Sequence, residues 1–193
     1  MKHASNRDLF DYWNERRGPR LAPQRTDIEP GAIRRILADT FMLDACGSDH
    51  VFRLAGTRLC SLFGHELKGE SFTALWRSVD HATLSELLTV VAEEKLGLVA
   101  SVVGSTASDA LLPVKLELLL LPLTHRAENH ARVLGALAPL TTPYWLRTKP
   151  IGPLELGMFR HVGGWEELAP PHFHAAPGRM RHGLIVYDGG LAE

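Results

Sequence analysis

Histidines are the residues of this chain best suited to metal chemistry. The 193 residues include ten histidines and two cysteines. One residue separates His172 from His174, and His161 and His182 are nearby in the sequence. Imidazoles at such spacing can ligate a zinc ion. No cysteine or acidic cluster accompanies them, so the pattern favours a solvated histidine-rich segment over a structural metal site. We predict no metal site.

Arginines close to the N-terminus could do a second kind of chemistry, the binding of anions. The cluster consists of Arg16, Arg17, Arg20 and Arg25. With Tyr12 and Trp13 just before it, the cluster could hold an anionic ligand or a nucleic-acid backbone through charge and stacking. Asp11, Glu15 and Asp27 dilute the patch, and arginine forks suit fixed structural pairing equally well. We therefore favour arginines that fix a connector to the domain, and we expect no nucleic-acid partner.

Enzyme motifs are missing from the sequence. It holds no GxSxG nucleophile elbow, no GxxxxGK[ST] phosphate loop and no HExxH metalloprotease motif. A formal net charge of -1 also provides no overall field for collecting phosphates. We predict a protein that is not an enzyme, while an enzyme with an unrecognised site remains an alternative.

Apolar periodicity predicts the elements that must position any site. Helices are predicted over 6–17, from Pro30 onward, and over 57–63, 72–77 and 80–95. Strands are predicted over 41–45, 50–55, 98–106, 113–123 and 132–140. Two strands, then helices, then three strands predict an α+β fold. Its centre is a five-stranded antiparallel sheet with helices packed on one face.

Composition divides the chain into three parts. Residues 1–40 form an N-terminal helical extension and connector, residues 41–142 form the core, and residues 143–193 form a loop-rich tail with many prolines and glycines, predicted to be partly disordered. The longest apolar run, 116–123, is too short to span a bilayer. With no apolar signal sequence at the N-terminus, we expect a cytoplasmic protein without a membrane partner.

Several short motifs carry a resemblance to a known family. They are Tyr12-Trp13, Arg16-Arg17-Gly18, Pro23, Arg25, Asp27-Ile28-Glu29-Pro30, Phe41-Met42-Leu43-Asp44, Phe52-Arg53-Leu54-Ala55-Gly56-Thr57 and Phe63-Gly64. Through them the chain resembles the alphaproteobacterial PAS-like family of single-domain proteins over residues 9–140. The family pattern favours aspartate where Glu29 stands. The resemblance implies a PAS fold and a regulatory role in signal transduction, and it brings no catalytic residues.

A sheet bent around short helices can enclose a small molecule or a cofactor. The predicted lining is Phe52, Leu54, Leu59, Phe63, Phe72, Trp76, Val102, Leu116 and Leu118. The same apolar pattern is typical of a filled core without a ligand, and we favour that interpretation. Arg53 could bind a carboxylate or phosphate, or it could lie on the wet face or pair with Asp44.

His81 is the histidine to consider for haem. PAS domains that bind haem use a histidine from the long helix before the third strand, and His81 lies three residues before Leu84 on the inward stripe. A single histidine near a helix start is more typical of a surface or capping residue. We therefore expect no haem, and the sequence requires no cofactor.

These observations predict a cytoplasmic, non-catalytic sensor and regulatory module. It would act through a homodimer or a protein signalling partner, with or without a small-molecule ligand in the cavity. The amphipathic first helix, with Leu9, Phe10 and Trp13, is the predicted dimer or partner surface. A dedicated sensor of a small molecule or cofactor is the alternative.

Overall fold

The computed structural model describes residues 1–46, 49–106, 109–124, 131–147, 149–163, 179–181 and 184–186. The helices are α1 (Ala4–Arg17), α2 (Thr57–Phe63) and α3 (His81–Glu93). The strands of the main sheet are β1 (Thr40–Cys46), β2 (Asp49–Ala55), β3 (Gly97–Thr106), β4 (Asp109–Leu123), β5 (Ala131–Pro139) and β6 (Glu155–Val162). Two further strands, β7 (Arg179–Arg181) and β8 (Leu184–Val186), pair with each other. Short 3-10 helices cover Arg25–Asp27, Leu37–Asp39, Phe72–Leu75, Ser78–Asp80 and Tyr144–Arg147.

The main sheet is antiparallel throughout, in the order β2-β1-β5-β4-β3-β6. The predicted α+β class with an antiparallel sheet is confirmed, and each of the five predicted strands is present. A sixth strand, β6, comes from the segment predicted as a loop-rich tail and pairs with β3 at the sheet edge. The predicted disorder of the later tail, including His172, His174 and His182, concerns residues outside the described ranges.

Both faces of the sheet are covered. On one face α2 and α3 pack over a buried apolar cluster that includes Leu88, Leu98 and Leu118. On the other face α1 and the connector pack over a second cluster around Trp13 and Leu121. The predicted N-terminal extension is therefore packed against the sheet, and burial of its apolar stripe stabilises it there.

The connector after Pro30 does not form the predicted α helix. Most of its hydrogen bonds join residues three apart, such as Ile36 N to Ile33 O and Asp39 N to Ile36 O, and one, from Leu37 N to Ile33 O, joins residues four apart. Ile33 and Ile36 are both buried, and a spacing of three residues fits tight turns as well as an α helix. The chain here also passes so close to Gly56 that a Cβ added there would clash with Leu37 O. These contacts favour tight turns over a regular helix.

A β-bulge shifts the side-chain alternation of β2. Leu43 pairs with Phe52 and Met42 pairs with Leu54, so Arg53 is an extra residue in the ladder. Phe52 therefore faces the α2 and α3 cluster, while Leu54 shares the other face with Met42.

Candidate functional site

The interior between the sheet and α2 is the candidate functional site. One buried cluster contains all the predicted apolar lining residues except Leu54: Phe52, Leu59, Phe63, Phe72, Trp76, Val102, Leu116 and Leu118. Strands β2, β3 and β4 supply one wall, and α2 and the segment after it supply the other. The sequence periodicity thus identified side chains that do meet in space.

Aromatic rings occupy the centre of this interior. Phe72 lies 5.7 Å from Phe52 and 5.5 Å from Trp76, measured between ring centroids, and Phe41 lies 5.5 Å from Phe52. Rings at these separations are in direct contact. Phe41 was not among the predicted lining residues, although the alternation of Phe41 with Leu43 could have placed Phe41 on the inward face. A ligand in this interior would have to displace at least one of these rings.

Two polar groups lie at the edge of the aromatic cluster. The indole Nε1 of Trp76 is buried and has no hydrogen-bond acceptor among the described residues. His81 Nε2 lies 3.0 Å from the carbonyl oxygen of Trp76. Because a carbonyl only accepts, this nitrogen must carry a proton and donate it. The geometry therefore engages the His81 nitrogen with the backbone, and it is not a free ligand atom for a haem iron.

Leu54 does not line the interior, which corrects the prediction. The bulge at Arg53 turns Leu54 to the other face of the sheet, where its side chain is 51% exposed. Arg53 itself donates to Asp44 Oδ2 over 3.2 Å, the ion pair that the sequence analysis gave as one alternative. Arg132 donates to the other oxygen of Asp44 over 3.1 Å. Neither Arg53 nor Leu54 points into the aromatic cluster.

The predicted partner surface on α1 lies against the protein's own sheet. Leu9 and Trp13 are fully buried and Phe10 is half-buried. The indole Nε1 of Trp13 donates to Pro122 O over 2.8 Å. This corrects the expectation of an accessible stripe, because the second apolar face of the sheet must be covered and α1 covers it.

The N-terminal arginines mostly fix the connector. Arg17 donates to Gly163 O over 2.6 Å, and Arg20 pairs with Asp27 at 2.8 Å while also bonding Arg16 O. The backbone hydrogen bond from Gln24 and the ion pair with Arg20 lower the pKa of Asp27. Carbonyl contacts and an ion pair are the structural role that the sequence favoured.

Asp39 is a buried carboxylate that the sequence analysis did not identify. It accepts from Ser5 Oγ at 2.7 Å and from Arg58 Nε and Nη2, each at 2.6 Å. Burial alone would raise the pKa of Asp39, but the bonds from Arg58 and Ser5 outweigh it and leave the pKa below its usual value. The group joins α1 to α2 at one end of the sheet.

Glu117 anchors the start of the chain. This buried side chain accepts from the backbone N–H groups of Lys2 and His3 at 2.7 and 2.9 Å, and Asn6 donates to it over 3.2 Å. In the sequence, Glu117 only interrupts an apolar run. In the structure, it fixes the position of α1 on the sheet through directional bonds.

Two searches of the described residues bear on metals and membranes. Within those ranges, no three histidine, cysteine or acidic side chains lie close enough to share a metal ion. Among the described helices, none combines the length and apolar character needed to cross a bilayer.

Comparison with known proteins points to one family. The family model described as "PAS domain" matches residues 1–138. Among solved structures, a fungal LOV domain photoreceptor aligns with a TM-score of 0.39 and 15% identity, over 53% of this chain and 75% of that one. No curated protein gives a significant match.

Proposed function

Since the chain belongs to the PAS domain family, we propose that it is a non-catalytic sensory module whose output is contact with a second copy of itself. The observation that carries this proposal is the exposed edge of the sheet at β6. Met158 is 86% exposed there and Phe159 is 45% exposed. Within the described residues β3 is the one strand that pairs with β6, and Leu156 N–H near the start of β6 donates to Asp80 Oδ2. Large apolar side chains beside such a strand edge are typical of a surface that adds strands from a partner.

The strand β6 has a sequence suited to pairing with its own copy. A two-fold axis between Gly157 and Met158 would place Glu155 opposite Arg160 of the second copy, and Leu156 opposite Phe159. Opposite charges across an antiparallel pair are favourable, as are facing apolar side chains. Ion pairing of Glu155 with Arg77 would remain at the surface of the dimer.

Hydrogen bonds connect the interior side of the domain to this edge. Arg58 on α2 bonds Asp39, Asp39 bonds Ser5 on α1, and Arg17 at the other end of α1 bonds Gly163 just after β6. We propose that a shift of α2 reaches the β6 edge through this series, with α1 moving as a rigid element. The series of hydrogen bonds supports this route, and coupling measurements test it.

Analytical ultracentrifugation of the full chain tests the proposal. We expect the unaltered protein to sediment as a dimer and Met158→Asp as a monomer, because a buried unpaired charge would oppose association. Leu21→Asp is the matched control, since Leu21 is 70% exposed and lies in the connector, outside β6. A monomer in the unaltered protein at all concentrations, or a dimer in Met158→Asp, would overturn the proposal.

A second function, the sensing of a small molecule inside the aromatic cluster, is supported by one observation. The buried indole Nε1 of Trp76 lacks an acceptor among the described residues, and a buried unpaired donor is costly. A ligand or water with an acceptor atom would satisfy it. Native mass spectrometry and an absorbance spectrum of freshly purified protein would reveal a retained compound, and a bare protein mass without chromophore would count against this function.

A further inference from the structure

A groove on the α1 side of the sheet combines charge with apolar surface. It has a volume of about 830 Å³ and lies between the connector and the outer ends of β1, β2 and β5. Cationic side chains come to it from four separate segments: Arg25 from the connector, Arg53 from β2, Arg132 from β5, and Lys68 from the loop after α2. Such a volume lies in the range of small-molecule sites.

Positive charge exceeds negative charge among the described residues of the groove. Asp44 is the acidic residue in its lining, and it is shared between Arg53 Nη1 and Arg132 Nε. Arg25 makes one long bond, 3.4 Å to Ile28 O. Within the described ranges, Lys68 and Arg25 have no ion-pair partner. Four cations therefore face one carboxylate, a surplus that favours an anion.

An apolar strip adjoins these charges. Leu54, turned outward by the bulge, lies beside Met42 and Val51 in the lining. Leu54 is among the most exposed large apolar side chains of the described residues. Covering it with an apolar group would remove this surface from water, which is favourable in proportion to the area covered.

We propose that this groove binds a small organic anion, with its acidic head on Arg25, Arg53 and Lys68 and its apolar body on Leu54. The groove and the aromatic cluster share Phe52, but the cationic side chains and Leu54 belong to the groove and not to that cluster, so this is a second site on the module. Asp44 acts as an internal competitor, since an incoming anion and Asp44 both draw on the Arg53 guanidinium. The inference does not depend on the dimer, because β2 and β6 are opposite edges of the sheet.

Fluorescence titration with anilinonaphthalene sulfonate, an anionic amphiphile, tests the proposal. Its neutral analogue phenylnaphthylamine, which lacks the sulfonate, reports apolar binding alone. We expect Arg25→Gln and Lys68→Gln each to weaken sulfonate binding roughly 10-fold, as the loss of one charge-assisted hydrogen bond predicts, without changing binding of the neutral probe. Lys149→Gln is the matched control, an equal change of charge at an exposed position outside the groove and outside β6.

A gain of affinity separates this site from a general loss of folding. Asp44→Asn removes the competitor and should tighten sulfonate binding about 3-fold, in line with the strength of exposed ion pairs. Raising the salt concentration should weaken binding of the sulfonate and spare that of the neutral probe. Equal affinities of Arg25→Gln, Lys68→Gln and Lys149→Gln for the sulfonate would overturn the proposal, as would equal binding of the two probes to the unaltered protein.

Discussion

The two faces of the sheet are held in different ways. Under α2 and α3 the contacts are almost entirely apolar, with Phe72 at the centre of an aromatic cluster. Under α1 an apolar cluster is also present, but polar bonds surround it, from Trp13 to Pro122, from the chain start to Glu117 and from Ser5 to Asp39. Apolar packing is non-directional, whereas these hydrogen bonds fix one position for α1.

The difference between the faces suggests a division of labour. An apolar aromatic face can adapt its rings to a ligand or repack without one, because dispersion and burial tolerate small shifts. A face with directional anchors transmits movement rather than absorbing it, because its bonds have narrow geometry. The mutations below test whether the two faces differ in this way.

The largest effect should come from Phe72→Ala on the aromatic face. Truncating a fully packed aromatic side chain should lower the free energy of unfolding by about 3–5 kcal/mol, because burial is lost and a cavity remains. Urea unfolding followed by circular dichroism measures the change. Val79→Ala, at an exposed position, should change the free energy of unfolding by less than about 0.5 kcal/mol. A cost near that of the control would mean that the rings are not tightly packed.

Arg58→Met should have the next largest effect, on the polar link between the faces. It leaves buried Asp39 with Ser5 as its remaining side-chain donor, at a cost of about 2–3 kcal/mol in the free energy of unfolding. Arg53→Met is the matched control, since Asp44 keeps Arg132 and the pair is exposed, so we expect a cost below about 1 kcal/mol. Equal costs for the two variants would contradict a special role for Asp39.

Trp13→Phe removes a directional hydrogen bond on the α1 face while keeping most of the apolar packing. Phenylalanine fills most of the space that the indole occupies, but Pro122 O loses its donor. We therefore expect a loss of about 1–2 kcal/mol in the free energy of unfolding. Hydrogen exchange of the α1 amides should accelerate more than that of the α3 amides. Uniform acceleration across both helices would show that the two faces open together, and the comparison would fail.

Acidification should reduce the difference in free energy of unfolding between Arg58→Met and the unaltered protein. The folded-state pKa of Asp39 is lowered, so the stability it contributes is present above the unfolded pKa of about 4 and is lost as pH falls through the folded value. The gap in free energy of unfolding between the two proteins should shrink by roughly half or more between about pH 6 and about pH 3. A gap that stays constant over that range would show that Asp39 does not titrate as proposed.

Local sequence patterns predicted most of the fold. Periodicity placed the first five strands and α3, and it brought Phe52, Phe72 and Leu116 into one cluster. It missed β6 because this edge strand is exposed along most of its length and has no simple apolar alternation.

The site-level errors have equally local causes. One inserted residue at Arg53 reversed the orientation expected for Leu54. The pairing of Asp39 with Arg58 joins residues 19 apart in the chain, which no pattern of spacing reveals. The burial of Trp13 depended on a second apolar sheet face, whereas the element order predicted helices on one face.

The first forty residues cover one face of the sheet, so a soluble fragment of this protein has to include them. A chain beginning at residue 41 would present Val99, Leu119, Leu121 and Leu134 to water, all of them now buried beneath α1 and the connector. A broad apolar surface of this kind promotes aggregation. Glu117 would also lose the backbone N–H groups of Lys2 and His3 that donate hydrogen bonds to it. The first helix thus keeps an apolar face of the sheet away from water. Fragments expressed without this helix should form inclusion bodies.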